Sequence, residues 1–349
     1  MAVTVTTAKS RRQTLYVGWR DLVHAKGRFL LMAGVVTLIA VLVGLLSGLT
    51  RGLADESTSA ITGLRTERLV FSGATADFSA SRVPTDGSIE GEPLGVATSR
   101  AATAAKAEPV TVMGVRPGSP IAPDADGVGP GRVVLTDQVA EHLDLHEGDE
   151  LLVGTQEFTV TAVRGDASYS HVPVVWLDLV DWQSVTGATD SATVFATDST
   201  SAPTGFTKVS LDDSLAGIGA YSSENGSLQL IRGFLFAISA LVVGSFFTVW
   251  TVQRQRDIAV LKALGASTGH LIRDALGQAA LLLGLGVGLG AVIVVGVGAL
   301  AVRAVPFVLD AATIGLPLLA LVLLGLAGAA LAVRRITSVD PLTALGSAR

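Results

Sequence analysis

The sequence predicts a membrane protein with four transmembrane helices and an α/β domain inserted between the first two. Three observations carry that prediction. Residues 29–50, 233–253, 275–302 and 311–333 contain no Asp, Glu, Lys or Arg, and each run reaches the ~20 residues a helix needs to cross ~30 Å of hydrocarbon. A long polar stretch separates the first run from the other three. Charge then divides the chain. Residues 1–28, 254–274 and 334–349 hold 13 Lys and Arg against 4 Asp and Glu, whereas residues 51–232 hold 11 against 25. Positive segments stay in the cytoplasm, so both termini and 254–274 are placed inside and the large acidic segment outside.

Composition narrows the function classes. A mean hydropathy of +0.55 is high for a soluble chain of ordinary charge content. Cysteine is absent, which removes disulfides and thiolate metal sites. The net charge of −5 comes with a strongly acidic outer segment, so nothing favours nucleic acid as a partner. His142 and His146 are four apart, but Asp144, Leu145 and Gly148 predict a loop there and no metal pair.

In chain order, residues 1–28 form a cytoplasmic tail ending in an interfacial amphipathic helix. There Leu15, Trp19, Leu22 and Val23 recur at helical spacing among Arg12, Arg20, Lys26 and Arg28. The first membrane helix covers 29–54. Ala40, Gly44, Gly48 and Gly52 fall four apart along it, and small residues at that spacing let helices approach closely. Glu56 comes next in that register and drifts off the stripe by about 40° per step. An ionisable residue at the membrane edge beside a glycine seam is a functional candidate.

Residues 55–227 form the outer α/β domain. Strands are expected at Arg68–Ser72, Asp77–Arg82, Pro109–Val115, Gly131–Leu135, Val172–Leu177 and Ala192–Ala196. A helix from Asp137 to about Leu143 takes Thr136 as N-cap, and Glu150–Val153 with Glu157–Val163 makes a hairpin. Four prolines mark a long loop at 117–131. The domain carries no G-x-S-x-G, no H-E-x-x-H and no recognisable carboxylate pair, so it is not expected to be an enzyme. Helix two covers 228–252, with Tyr221 and Glu224 just before it and Arg232 near its outer end. Helix three, 275–302, is rich in glycine. Those glycines lie inside a span with no preceding strand, so they predict close packing and no dinucleotide loop. A short outer loop, 303–310, precedes helix four at 311–333, and 334–349 is a cytoplasmic tail.

Residues 253–274 connect helices two and three on the inside. Ile258, Leu261 and Leu264 share a helical face, Asp257 and Lys262 lie off it, and Gly265 reads as a stop. A short amphipathic helix can seat its apolar face in a groove of a partner. From pattern alone a membrane-surface connector fits equally well.

The stretch reads Arg254-Gln-Arg-Asp-Ile-Ala-Val-Leu-Lys-Ala-Leu-Gly-Ala-Ser267. It resembles the signature R-x-R-E-I-x-x-L-[KR]-A-[LI]-G-A-[ST] of FtsX-like, MacB-type permease subunits of ABC transporters, with Asp257 where that family has Glu. The order of one span, a large outer domain and three spans also resembles that family, the type VII permease architecture. The resemblance implies that Asp257, Ile258, Leu261, Leu264 and Gly265 dock on a separate ATPase. No G-x-x-x-x-G-K-[ST] occurs in the chain, so ATP is expected on two copies of that partner. Four spans are few for a pathway, so a homodimer is expected, with helix one of each copy near the two-fold axis. The Gly44, Gly48 and Gly52 seam would then open or close by mechanotransmission.

A seam of small residues open to lipid suits a flat, apolar cargo. The compact length and modest outer domain are similar to the haem-exporting permeases of Gram-positive bacteria, the HrtB type. Haem as transported ligand would take Glu56 as an iron ligand, with Tyr221, Glu224 and Met32 as further candidates and Arg51 and Arg232 for the propionates. The same fold could export another amphiphile such as an antibiotic, peptide or lipid. It could also release lipoproteins, or act without transport as a regulator of a cell-wall hydrolase.

Overall fold

The computed structural model describes residues 26–199, 204–253 and 267–337. It divides into two compact units, one of residues 52–227 and one from 1–51 with 228–349. The coupling residues Asp257, Ile258, Leu261, Leu264 and Gly265 lie outside the described residues, as do most of the amphipathic leader and the C-terminal tail.

Among the described residues, four helices are long and apolar enough to cross a bilayer. They lie in α1 (Lys26–Thr62), α5 (Gly219–Gln253), α6 (Thr268–Ala301) and α7 (Ala311–Thr337). Helix α1 runs on past the expected end at residue 54 without a break. In lipid the hydrophobic effect between helices is weak and close approach does the work. Thr37 supplies one anchor, its hydroxyl donating to the Gly286 carbonyl at 3.0 Å. Gly290 faces Ala40, and Gly286 faces Val36. Helices α5 and α7 meet where Gly328 lies against Ala240 and Gly244.

The glycine stripe of α1 is covered by the same chain. Gly44 faces Val294 of α6, and Gly48 lies under the ring of Phe307. The Val308 N–H donates to the Gly48 carbonyl at 3.1 Å. The sequence suggested that this seam meets a second copy. In the structure two of its three glycines are filled from within.

The sheet unit is built from β1 (Arg68–Ser72), β2 (Val83–Pro84), β3 (Glu92–Ala102), β4 (Ala107–Val115), β5 (Arg132–Leu135), β6 (Glu150–Val153), β7 (Gln156–Val163), β8 (Ser168–Tyr169), β9 (Val172–Asp178), β10 (Ser191–Ala192), β11 (Val194–Thr197) and β12 (Phe206–Ser210). Short helices α2 (Asp137–Leu143), α3 (Leu179–Thr186) and α4 (Leu211–Ser214) sit among them. The strand order is β12-β1-β11-β3-β4-β9-β5-β7-β6, and β6 pairs back onto β3 through Ala101↔Val153 and Ala102↔Leu152. Six strands therefore close into a ring, which leaves them no free edge. Strand β3 does this by giving its first residues to β11 and its last two to β6.

Two expected strands need correction. Residues 77–82 are a turn, because the Asp77 carboxylate accepts from the Ser79 N–H at 2.8 Å and the Ser79 hydroxyl at 2.7 Å. Thr136 is the N-cap of α2 as expected, with extended backbone, and its hydroxyl donates to the Val174 carbonyl at 3.0 Å and makes no bond to the helix N–H groups. The strand expected at Ala192–Ala196 is split at Thr193, whose hydroxyl joins the Val96 backbone. The 117–131 loop buries Ile121, Ala122, Ala125 and Val128 in the core, so its apolar residues anchor it.

Candidate functional site

The last turns of α1 enter the sheet unit, where Ala60, Ile61 and Leu64 join the buried core beside Phe71, Phe78 and Trp176. The β8–β9 hairpin grips the same stretch of helix. Its two turn residues, Ser170 and His171, both have positive φ, 52° and 63°. That conformation is unfavourable by roughly 1–2 kcal/mol for a residue with a Cβ. Here it aims two N–H groups at the helix. Ser170 donates to the Ser57 carbonyl at 3.1 Å and His171 to the Glu56 carbonyl at 3.2 Å. The Ser59 hydroxyl closes the clasp, accepting from the Ser168 N–H at 2.9 Å.

The turn delivers the His171 ring between two carboxylates. Its Nδ1 lies 3.3 Å from Glu56 Oε2 and its Nε2 lies 2.9 Å from Glu224 Oε2. Glu224 belongs to the first turns of α5. The Ser57 hydroxyl is also 2.9 Å from Nε2. A neutral ring has one N–H, so it can donate to one carboxylate; only the doubly protonated ring donates to both. The side chains of His171, Glu56 and Glu224 are 27%, 41% and 43% exposed. The pairs are therefore screened, and each is worth about 0.2–1 kcal/mol.

Ser57, His171 and Glu56 stand in the order of a nucleophilic triad, but they cannot work as one. Ser57 is fully buried inside a helix, where backbone N–H groups are spent on the helix and leave no oxyanion donors. Glu224 also occupies the ring nitrogen that would serve as base. What the cluster offers is oxygen and nitrogen donors on a half-open surface.

The structure brings together Glu56 and Glu224 from the residues nominated by sequence, and it adds His171 and Ser57, which sequence reasoning did not nominate. Tyr221 points elsewhere: its ring packs against the core and its hydroxyl takes a hydrogen bond from Asn225 at 3.3 Å. Behind the hairpin, burial pushes the Tyr169 phenol well above its usual range, with the Asp77 charge adding to the effect. In the membrane unit, Arg51 lies near Asp310. The Thr313 hydroxyl and N–H hold that carboxyl below its usual range, with smaller help from the Ala312 N–H and Arg51. Arg232 is half-buried on α5, and Met32 is buried among the membrane helices. Among the described residues no three His, Asp or Glu side chains are placed to hold one metal ion.

Residues 230–341 match the family model of the FtsX-like permease C-terminal domain. This part of the chain is similar to an FtsX-like permease domain. The matched residues take in most of α5, all of α6 and all of α7. Over 354 residues the chain is 23% identical to a protein of Staphylococcus epidermidis named a hemin transport system permease protein, HrtB, covering 95% of this chain and 99% of that one. Over 361 residues it is 24% identical to an uncharacterized ABC transporter permease of Mycobacterium bovis, with the same coverage. The extracellular domain of the ABC-type transporter YknZ from Gram-positive bacteria covers 39% of this chain and 85% of its own, at 14% identity and a TM-score of 0.29. That score is too low to support an argument.

Proposed function

We propose that this FtsX-type permease is the membrane subunit of an ABC efflux transporter that removes haem from the bilayer. The observation that carries the reading is the Glu56–His171–Glu224 cluster, which offers carboxylate and imidazole donors on a half-exposed surface. Haem iron takes imidazole as an axial ligand, and carboxylate oxygen is a ligand of iron in non-haem sites. The name of the Staphylococcus epidermidis relative points the same way. Glu56 is the carboxylate assigned to the iron site, and Arg51 and Arg232 are the cations assigned to the propionates.

In this reading the chain does not hydrolyse ATP. Asp257, Ile258, Leu261, Leu264 and Gly265 dock on a separate ATPase, two copies of which serve a homodimer of this chain. Both termini face the cytoplasm and the sheet unit faces outward. ATP-driven motion at the coupling segment is transmitted through the membrane helices.

The test is a haemin titration of the detergent-purified chain, followed in the visible spectrum. A saturable Soret shift is expected in the wild type. It should weaken about tenfold or more in Glu56→Ala, the change that loss of ~1.4 kcal/mol or more would give. No saturable shift would remove haem and leave another amphiphile as the cargo to test.

A further inference from the structure

We propose that Glu224 is the closing element of the cluster and not one of its ligands. Its contact with His171 shuts the site, and that contact must part before Glu56 and the imidazole can receive an iron-bearing planar amphiphile. The inference rests on the haem reading above and adds how that site is gated.

Both ring nitrogens of His171 are engaged, Nδ1 by Glu56 and Nε2 by Glu224 and Ser57. Coordination by the imidazole needs a ring nitrogen with a free lone pair, and in this arrangement both nitrogens are engaged. One partner has to leave. Glu56 is fastened to His171 twice, through its side chain at 3.3 Å and through its backbone carbonyl, which accepts the His171 N–H at 3.2 Å. The neighbouring turn residue Ser170 adds a bond to Ser57 at 3.1 Å. Glu224 has a single contact with the ring, made by a flexible side chain that is 43% exposed. The helix α1 partner is therefore fixed and the helix α5 partner is the one free to swing away. Once it has left, Nε2 keeps only the Ser57 hydroxyl, a neutral group that can rotate onto its own helix backbone as other helical hydroxyls do, while Glu56 still holds Nδ1. A ring held by a carboxylate behind its far nitrogen is the arrangement that orients a metal-binding histidine.

A ligand role and a gating role for Glu224 predict opposite results. Glu224→Gln keeps the shape and weakens the hold on the ring. As a gate, the variant should bind haemin tighter than wild type, by up to about fivefold, the change expected from releasing one partly exposed charge-assisted contact. As a ligand, it should bind more weakly. Where wild type binds haemin saturably, equal or weaker binding by the variant overturns the proposal.

Hydrogen exchange on the haem-free full-length chain supplies the second readout. Glu224→Gln should speed amide exchange in residues 168–172 and 219–227 and leave β3 and β4 unchanged. Unchanged exchange in both segments overturns the gate whatever haemin does. Faster exchange with no saturable haemin binding by either protein keeps the gate and removes haem as its cargo.

Discussion

Trp182→Ala should destabilise the sheet unit by about 3–5 kcal/mol, the usual range for deleting a buried aromatic side chain. Trp182 is 1% exposed on α3. Its indole lies over Gly95 of β3 and Gly114 of β4, where any Cβ would collide with it. Its Nε1–H donates to the Val112 carbonyl at 3.1 Å. The substitution therefore opens a cavity against two strands of the closed ring and leaves a buried carbonyl without its partner. Calorimetry of the full chain should show the sheet-unit transition lowered by roughly 6–20 °C, at about 2–4 °C per kcal/mol for a domain of this size. Gly95→Val should produce a comparable loss from the other side of the same contact. A shift under about 2 °C in both variants would mean that the indole does not hold the ring together.

Gly290→Leu should prevent the membrane helices from assembling. A Cβ at residue 290 would come within 2.6 Å of the Ala40 Cβ and 3.2 Å of the Thr37 carbonyl oxygen. A leucine there must push α1 and α6 apart, which also breaks the Thr37–Gly286 hydrogen bond. Helix association in lipid depends on close approach of this kind. The matched control is Gly288→Leu on the same helix, where an added Cβ meets nothing within 4 Å. The measurement is the yield of monodisperse protein after detergent extraction. Gly290→Leu should fall at least about tenfold below wild type, equivalent to ~1.4 kcal/mol or more of lost assembly free energy, and Gly288→Leu should stay near it. Equal yields for the two variants would rule out this seam as the determinant of assembly.

The four spans were legible because lipid imposes a simple rule: about 20 residues without charge. The sheet unit obeys no rule as strong. Strand β3 is the clearest omission, although it is the strand on which the ring closes. Its sequence, Glu92-Pro-Leu-Gly-Val-Ala-Thr-Ser-Arg-Ala-Ala102, is poor in the β-branched and aromatic residues that mark strands. It is extended because β4, β11 and β6 pair with it, and those are long-range facts. The false strand at 77–82 has the opposite cause, a local Asx turn at Asp77 that outweighs the alternating pattern.

The site was half legible. Glu56 and Glu224 were found from their positions at the ends of membrane runs. His171 is 115 residues from Glu56 and 53 from Glu224, and its flanks, Ser170 and Val172, carry no turn signal such as Asn-Gly. Nothing local could have placed it between them. The glycine stripe on α1 announced close packing, but small residues do not name their partner, and Val294 and Phe307 belong to segments read as ordinary span and loop.

The same long separations set a timetable for biosynthesis. Thr37 and Gly286 share a hydrogen bond across 249 residues of chain. At about 5–20 residues per second, the ribosome takes on the order of ten to fifty seconds to travel from one to the other. Through that interval the first helix waits in the bilayer with its glycines facing lipid, while all of the sheet unit is synthesised and can close its ring. Assembly therefore runs from the inserted domain back to the membrane, and the first helix, although made before the sheet unit, meets α6 only after that unit is complete. A chain stalled before α6 would present an unpartnered helix to the membrane's quality-control proteases, tethered to a domain that had already folded.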